Sequence, residues 1–172
     1  QSEHDELTGL YNKRSLNRYL EDVFEACKLN EKELGILFLD IDYFKQLNDR
    51  YGHGKGDEGI CAVADTLKKI FPEDYVARYG GDEFLVVMTG RDLTYVMEHA
   101  ESLCAGIREY KIPNEDSELE PWLTISVGGV CAIPREPNRV WDFLSAADNT
   151  LYEQKKEQKG KVRFYQGEGK YL

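Results

Sequence analysis

Apolar residues Leu16, Tyr19, Leu20, Val23, Phe24 and Cys27 recur on a three-to-four-residue period after Asn12. That spacing predicts an amphipathic helix with Asn12 as its N-cap. The period then changes. Leu34 to Ile41 reads LGILFLDI, a nearly unbroken apolar run of strand length, which predicts a central strand covered on both faces. It ends in carboxylates, Asp40 and Asp42. A short helix is expected over Phe44–Tyr51, broken by the glycines of YGHGKGD, before a second one carrying Ile60, Val63, Ala64 and Leu67 on one face. Val76–Tyr79 and Asp82–Met88 read as two strands joined by a two-residue turn, Gly80-Gly81. A helix with Leu93, Val96, Met97, Ala100, Cys104 and Ile107 aligned comes next, then an acidic loop, NEDSELEP, and the strand LTISVGGVCA. Val140, Phe143, Leu144, Ala147 and Leu151 mark one more helix, and VRFY one more short strand.

From Leu34 onward this order is β-α-β-β-α-β, which predicts an α+β fold: a central antiparallel sheet flanked by helices, those of the unit packed on one side. With 172 residues, 41% of them hydrophobic, the chain can bury one substantial core and is too short for two ordinary domains. One domain over residues 1–172 is the expectation, since no repeat, low-complexity tract or long linker divides it. Gln1 stands where an initiator Met would, so the chain is read as part of something longer.

Charge narrows the partners. Asp and Glu number 32 against 22 Lys and Arg, for a net charge of -10. Such a field repels polyanions, which argues against a nucleic-acid polymer as partner. A small phosphorylated ligand stays open if metal ions screen the acids. Cys27, Cys61, Cys104 and Cys131 are dispersed, with no C-x-x-C pair, and read as small hydrophobes in a reducing cytoplasm. No apolar run reaches the roughly 20 residues that span a bilayer, so no membrane contact is expected of this domain.

The candidate chemistry lies where strand ends meet. If the strand beginning at Asp82 lies beside the one ending at Asp40, then Asp40, Asp42, Asp82 and Glu83 converge at one edge of the sheet. Clustered carboxylates must be neutralised by protons or by cations, and hard oxygen ligands suit Mg²⁺. Each acid taken alone reads as a solvated turn. Yet a purely structural hairpin does not need Asp-Glu directly after Gly-Gly, nor a buried strand an Asp-Ile-Asp end.

The string Gly80-Gly81-Asp82-Glu83-Phe84, preceded by Arg78-Tyr79, resembles the signature of the GGDEF family of diguanylate cyclases. DELTGLYNKRSL, FLDIDYFKQLNDRYGHGKGD, SVGG and AADNTLYEQKK resemble further family blocks, in order and at matching spacing. The resemblance covers nearly the whole chain. It implies a ferredoxin-like, nucleotidyl-cyclase palm and an enzyme that condenses two GTP molecules into cyclic di-GMP with Mg²⁺ (or Mn²⁺). Asp40 and Asp82 match metal-binding carboxylates, with the Ile41 carbonyl as a further ligand. Glu83 would complete a second ion's shell or accept the proton of the attacking hydroxyl. Lys45 and the N–H groups of Tyr43 and Phe44 are placed to reach phosphates, the latter at a helix start.

Asn48 and Asp57 match residues that hold guanine, whose adjacent N1–H and amino donors one carboxylate can accept together. Asp57 also reads as a helix N-terminal acid favoured by the macrodipole. Phe44 and Ile60 would wall the base pocket, though both read equally well as core. Lys155 and Lys159, one turn apart in the final helix, match positions facing the terminal phosphates. Here the sequence departs from the family: KGKVRF replaces its Gly-x-Asn. The family's Arg-x-x-Asp inhibitory motif reads Phe71-Pro72-Glu73-Asp74, so Asp74 is retained without the arginine, and no inhibitory site is expected. The resemblance further implies a homodimer for catalysis, since each site holds one GTP, and an upstream sensory segment. It places the domain in the cytoplasm, free or as part of a membrane-anchored protein. The alternatives are a silent module that binds GTP or a cyclic dinucleotide, and a dimerisation scaffold that binds neither.

Overall fold

The computed structural model describes residues 2–172. Its elements are α1 (Lys13–Leu29), β1 (Leu34–Ile41), α2 (Phe44–Tyr51), α3 (His53–Ile70), β2 (Tyr75–Arg78), β3 (Glu83–Thr89), α4 (Leu93–Tyr110), β4 (Ile125–Ala132), α5 (Val140–Glu157) and β5 (Val162–Phe164). They form one sheet of order β2-β3-β1-β4-β5. β1 is its centre, antiparallel to β3 and β4, and β2 is antiparallel to β3. β5 runs parallel to β4, so the expected antiparallel sheet is mixed at one edge. The cause is α5, which joins β4 to β5 as a crossover and returns the chain in the same direction.

Every residue of β1 is buried. Leu34, Ile36 and Phe38 pack with Leu16, Leu20 and Phe24 of α1 and with Phe143, Ala147 and Leu151 of α5. Leu37, Leu39 and Ile41 pack with Val63 and Leu67 of α3 and with Val96, Leu103 and Ile107 of α4. Helices therefore cover both faces of the sheet. The expected one-sided packing holds for α3 and α4 alone, because the second face of β1 is equally apolar and α1 and α5 must cover it.

Local chemistry sets the boundaries. The Asn12 side chain accepts the Ser15 N–H at 3.0 Å and starts α1. Gly52, at φ 87°, ends α2 and begins α3, a conformation that suits glycine. Gly54 and Gly56 do not break the helix as expected; both lie inside α3. The β2–β3 connection is longer than the two residues expected and spans Tyr79–Asp82. Neither Gly80 nor Gly81 has positive φ. The loop is closed instead by the N–H groups of Tyr79 and Gly80, which both donate to the Glu83 carbonyl, at 2.8 and 3.2 Å.

All four cysteines are free, Cys27 and Cys104 buried and the other two half-buried. Among the described residues no helix is long and apolar enough to cross a membrane.

Candidate active site

β1 ends where the β2–β3 loop and β4 meet it. Asp40 faces Glu83 of β3 and Ser126 of β4 across the two ladders, and the Asp82 carbonyl accepts the Ile41 N–H at 3.2 Å. Asp40 is buried, at 8% exposure. Its Oδ2 accepts a hydrogen bond from Lys155 Nζ at 2.5 Å, while Oδ1 is buried with no partner. Burial pushes the Asp40 carboxyl up to about 6 even though Lys155 pulls it down, and the charges of Asp42 and Asp82 add to the rise. Glu83 is raised by burial and by Asp82 and Asp148, against Lys155 and Lys13. Burial alone would lower the Lys155 ammonium, yet Asp40, with Asp42 and Asp82, holds it above its ordinary value.

Asp42 does not share this role. It is buried and accepts hydrogen bonds from Thr124 Oγ1 at 2.8 Å and Ser126 Oγ at 2.6 Å. Ser126 Oγ in turn accepts the Gly160 N–H at 2.9 Å. Asp42 is thus spent on fixing β4 and the loop after α5. Three acids remain at the edge, not four.

Gly80 has a steric reason: a Cβ there would lie 2.5 Å from Glu83 Oε1, closer than van der Waals contact allows. Arg78 donates to the carbonyls of Gly80 and Gly81 and pairs with Asp5 at 3.2 Å. The signature loop is therefore tied to the segment before α1.

The remaining residues are placed unevenly. Tyr43 is the N-cap of α2 at φ 53°, ψ 37°, a left-handed conformation that is uncommon for a bulky residue. Lys45 is exposed and pairs with Asp49 at 2.7 Å, so it stands as an outward helix lysine. Asn48 abuts α3, with its buried Oδ1 unpartnered; a Cβ on Gly56 would sit 1.9 Å from that atom. Asp57 follows, exposed, beyond the first turn of α3. Ile60 is core, and Phe44 packs half-buried on the same cluster. Lys159 is not in the final helix as expected. α5 ends at Glu157 and Gln158 is extended, which puts Lys159 in the following loop, 4.3 Å above the Tyr43 ring. Phe71 is the C-cap of α3 and 1% exposed, a core side chain. Arg91 reaches this surface from outside the motif, 3.8 Å from Glu73.

Sequence reasoning missed the acidic loop's part. Asn114, 1% exposed, donates its amide to the carbonyls of Asp42 and Tyr43 at 3.5 and 3.4 Å, and Glu118 accepts the Tyr43 hydroxyl at 3.2 Å. Arg108 joins Glu120 of this loop to the Gly160 carbonyl. Thr124 and Ser126 were legible as hydroxyls in an apolar strand, but nothing marked their partner. A concavity of about 510 Å³ lined by Glu21, Phe24, Lys28 and Arg139 shares no residue with the acids.

A mixed sheet between two helical layers, with acids and lysines meeting at the end of its central strand, is the palm-like α+β fold of nucleotidyl cyclases. The family model described as "Diguanylate cyclase, GGDEF domain" matches residues 2–161, and the chain belongs to that family. It is 32% identical over 157 residues to the "Probable diguanylate cyclase DgcC" of Escherichia coli (strain K12), across 90% of this chain and 41% of that protein. The chain thus spans about two fifths of that relative's length. The crystal structure of diguanylate cyclase SiaD from Pseudomonas aeruginosa, solved with its activator SiaC, aligns with a TM-score of 0.82 at 28% identity, covering 95% of this chain and 62% of that one. The GGDEF domain of DgcB from Caulobacter crescentus, solved with c-di-GMP, shares the fold with a TM-score of 0.87 at 24% identity, over 97% and 98% of the two chains.

Proposed function

We propose that the chain is an active diguanylate cyclase domain, condensing two GTP molecules into cyclic di-GMP and two pyrophosphates. The observation that carries this reading is Asp40: a carboxylate buried at a strand end, one oxygen on a lysine and the other with no partner. An orphaned anionic oxygen beside Asp82 and the Ile41 main chain fits a hard cation. Bound Mg²⁺ or Mn²⁺ would neutralise the triphosphate and make the attacking 3′-hydroxyl more acidic. Asp40, Asp82 and the Ile41 carbonyl would hold the ion. Glu83, whose raised value favours accepting a proton, serves as base or as ligand of a second ion.

Lys155, Lys159 and the N–H groups of Tyr43 and Phe44 bind the phosphates, and Lys45 joins them only on leaving its exposed pair with Asp49. Asn48 and Asp57 hold the guanine edge against Phe44, with Ile60 beneath it in the core. Adenine, lacking the paired donors, would leave Asp57 unpaired. Each site holds one GTP, so two domains must face each other as a homodimer, each 3′-hydroxyl aimed at the partner's α-phosphate. A sensory segment upstream would govern that encounter, in the cytoplasm.

The test is to incubate the purified protein with GTP and Mg²⁺ and identify products by mass. Asp82→Asn is expected to remain folded and to lose turnover, and near-parental synthesis by this variant would contradict the assignment. A silent GTP- or cyclic-dinucleotide-binding module is the second reading. It is favoured by Lys159, which rests on Tyr43 off the helix, and it predicts binding without product.

A further inference from the structure

The ion pair between Lys155 and Asp40 conflicts with the use to which both groups are put in catalysis. The ammonium sits on the carboxylate that is to hold the ion, at 2.5 Å. Lys155 also feels the charges of Asp42 and Asp82, and it is the lysine in direct contact with Asp40. Its side chain is 34% exposed, and its four-carbon stem lets the head swing outward while α5 stays in place. A second observation concerns the donors. Among the described residues no three His, Cys, Asp or Glu side chains are grouped closely enough to hold a metal ion. A divalent ion arriving alone would meet too few side-chain ligands and a resident positive charge.

We propose that Lys155 is an exchangeable counter-ion: it neutralises Asp40 in the nucleotide-free protein and cedes it when a divalent ion arrives with a polyphosphate, onto which the ammonium then moves. Metal and nucleotide therefore bind as a coupled pair, each weakly alone. The polyphosphate supplies the oxygens the side chains lack and a new partner for the displaced lysine. This inference rests on the metal–triphosphate reading of the site.

The experiment measures Mn²⁺ binding by calorimetry or electron paramagnetic resonance at about pH 8, above the carboxylate range, with no nucleotide present. Lys155→Met, which keeps the stem and removes the charge, is expected to bind Mn²⁺ about tenfold tighter or more than the parent, as one like charge fewer at close range implies. The same variant is expected to bind a methylene-bridged GTP analogue more weakly in the absence of metal, and to show less mutual enhancement between Mn²⁺ and analogue. Lys155→Gln repeats the measurement on a polar side chain should the Met variant fail to fold. Unchanged or weaker Mn²⁺ binding by these variants, with Mn²⁺ still bound in the presence of the analogue, overturns the exchange and leaves the pair a fixed strut between α5 and β1. Absence of Mn²⁺ binding in the parent even with the analogue overturns the metal–triphosphate reading, and the exchange with it.

Discussion

Asp40 shows how one position carries a cost that the rest of the fold sustains. Its ordinary value of 3.8 is pushed up to about 6, chiefly by burial. Between these values the folded protein holds more protons than the unfolded chain, so the residue's contribution to stability falls as pH rises through the window and stays lost above it. Fixing a neutral side chain there removes the cost. Asp40→Asn is therefore expected to be more stable than the parent at about pH 8, by up to about 3 kcal/mol, a figure that already includes the pull of Lys155, and so to melt at a higher temperature there, while the two should converge near pH 4. Melts followed by circular dichroism at both pH values decide this, and a lower midpoint at the higher pH contradicts it. Functional strain of this kind is invisible in the strand pattern, where Asp40 and Asp42 read alike and only the family resemblance sets Asp40 apart. The contacts supply the physical reason: one has an orphaned oxygen, and the other is saturated by Thr124 and Ser126.

At the level of elements, α5 decides whether the lysine reaches the acid. It crosses β4 at Gly128, where a Cβ would lie 2.3 Å from the Leu151 nitrogen and 2.4 Å from the Ala147 carbonyl oxygen. These are backbone atoms of α5, so the helix would have to retreat. Gly128→Ala is expected to cost about 3 kcal/mol or more, at the upper end of overpacking effects, and to lose GTP turnover as Lys155 is drawn away from Asp40. Urea unfolding reads the first effect and product formation the second; a variant as stable and active as the parent would remove this account. The SVGG block was readable as a family resemblance, but its reason is the helix–strand contact. The acidic loop is the reverse case: the sequence marked it only as an acidic connection, whereas Asn114 and Glu118 brace the β1–α2 turn.

For the whole molecule, the proposed chemistry needs two copies, and isolated domains must meet by diffusion. Specific activity at saturating GTP is expected to rise with protein concentration, by mass action. A flat profile over a hundredfold range below micromolar, on the scale of such encounters, would point to a preformed dimer or another mechanism. Feedback by product is a second property at this scale. With Phe71 in the core in place of the motif's arginine, and with Arg91, the guanidinium that does reach this surface, 3.8 Å from Glu73, no free bidentate donor among the described residues is left beside Asp74 to grip phosphate or guanine. Inhibition by cyclic di-GMP is expected to be competitive with GTP. Noncompetitive inhibition abolished by Asp74→Ala would show a working site there, with Arg91 as its cation.

Periodicity, with the Asn12 cap, determined the order of the elements and the bounds of β1 and α2, though not the start of α3 or the length of the β2–β3 loop, because apolar spacing is a local property that each element must satisfy to bury its face. The signature and its companion blocks likewise marked Asp40, Asp82, Glu83, Asn48 and Asp57 as candidates. Tertiary structure decided what spacing cannot encode. The apolar run of β1 called for cover on both faces, but which helices supply it, α1 and α5 on one side and α3 and α4 on the other, was settled only by packing, as was the end of α5 at Glu157, which leaves Lys159 in the following loop. Asp40 meets Lys155, 115 positions away in the chain, because their charges are opposed only after α5 has closed over β4.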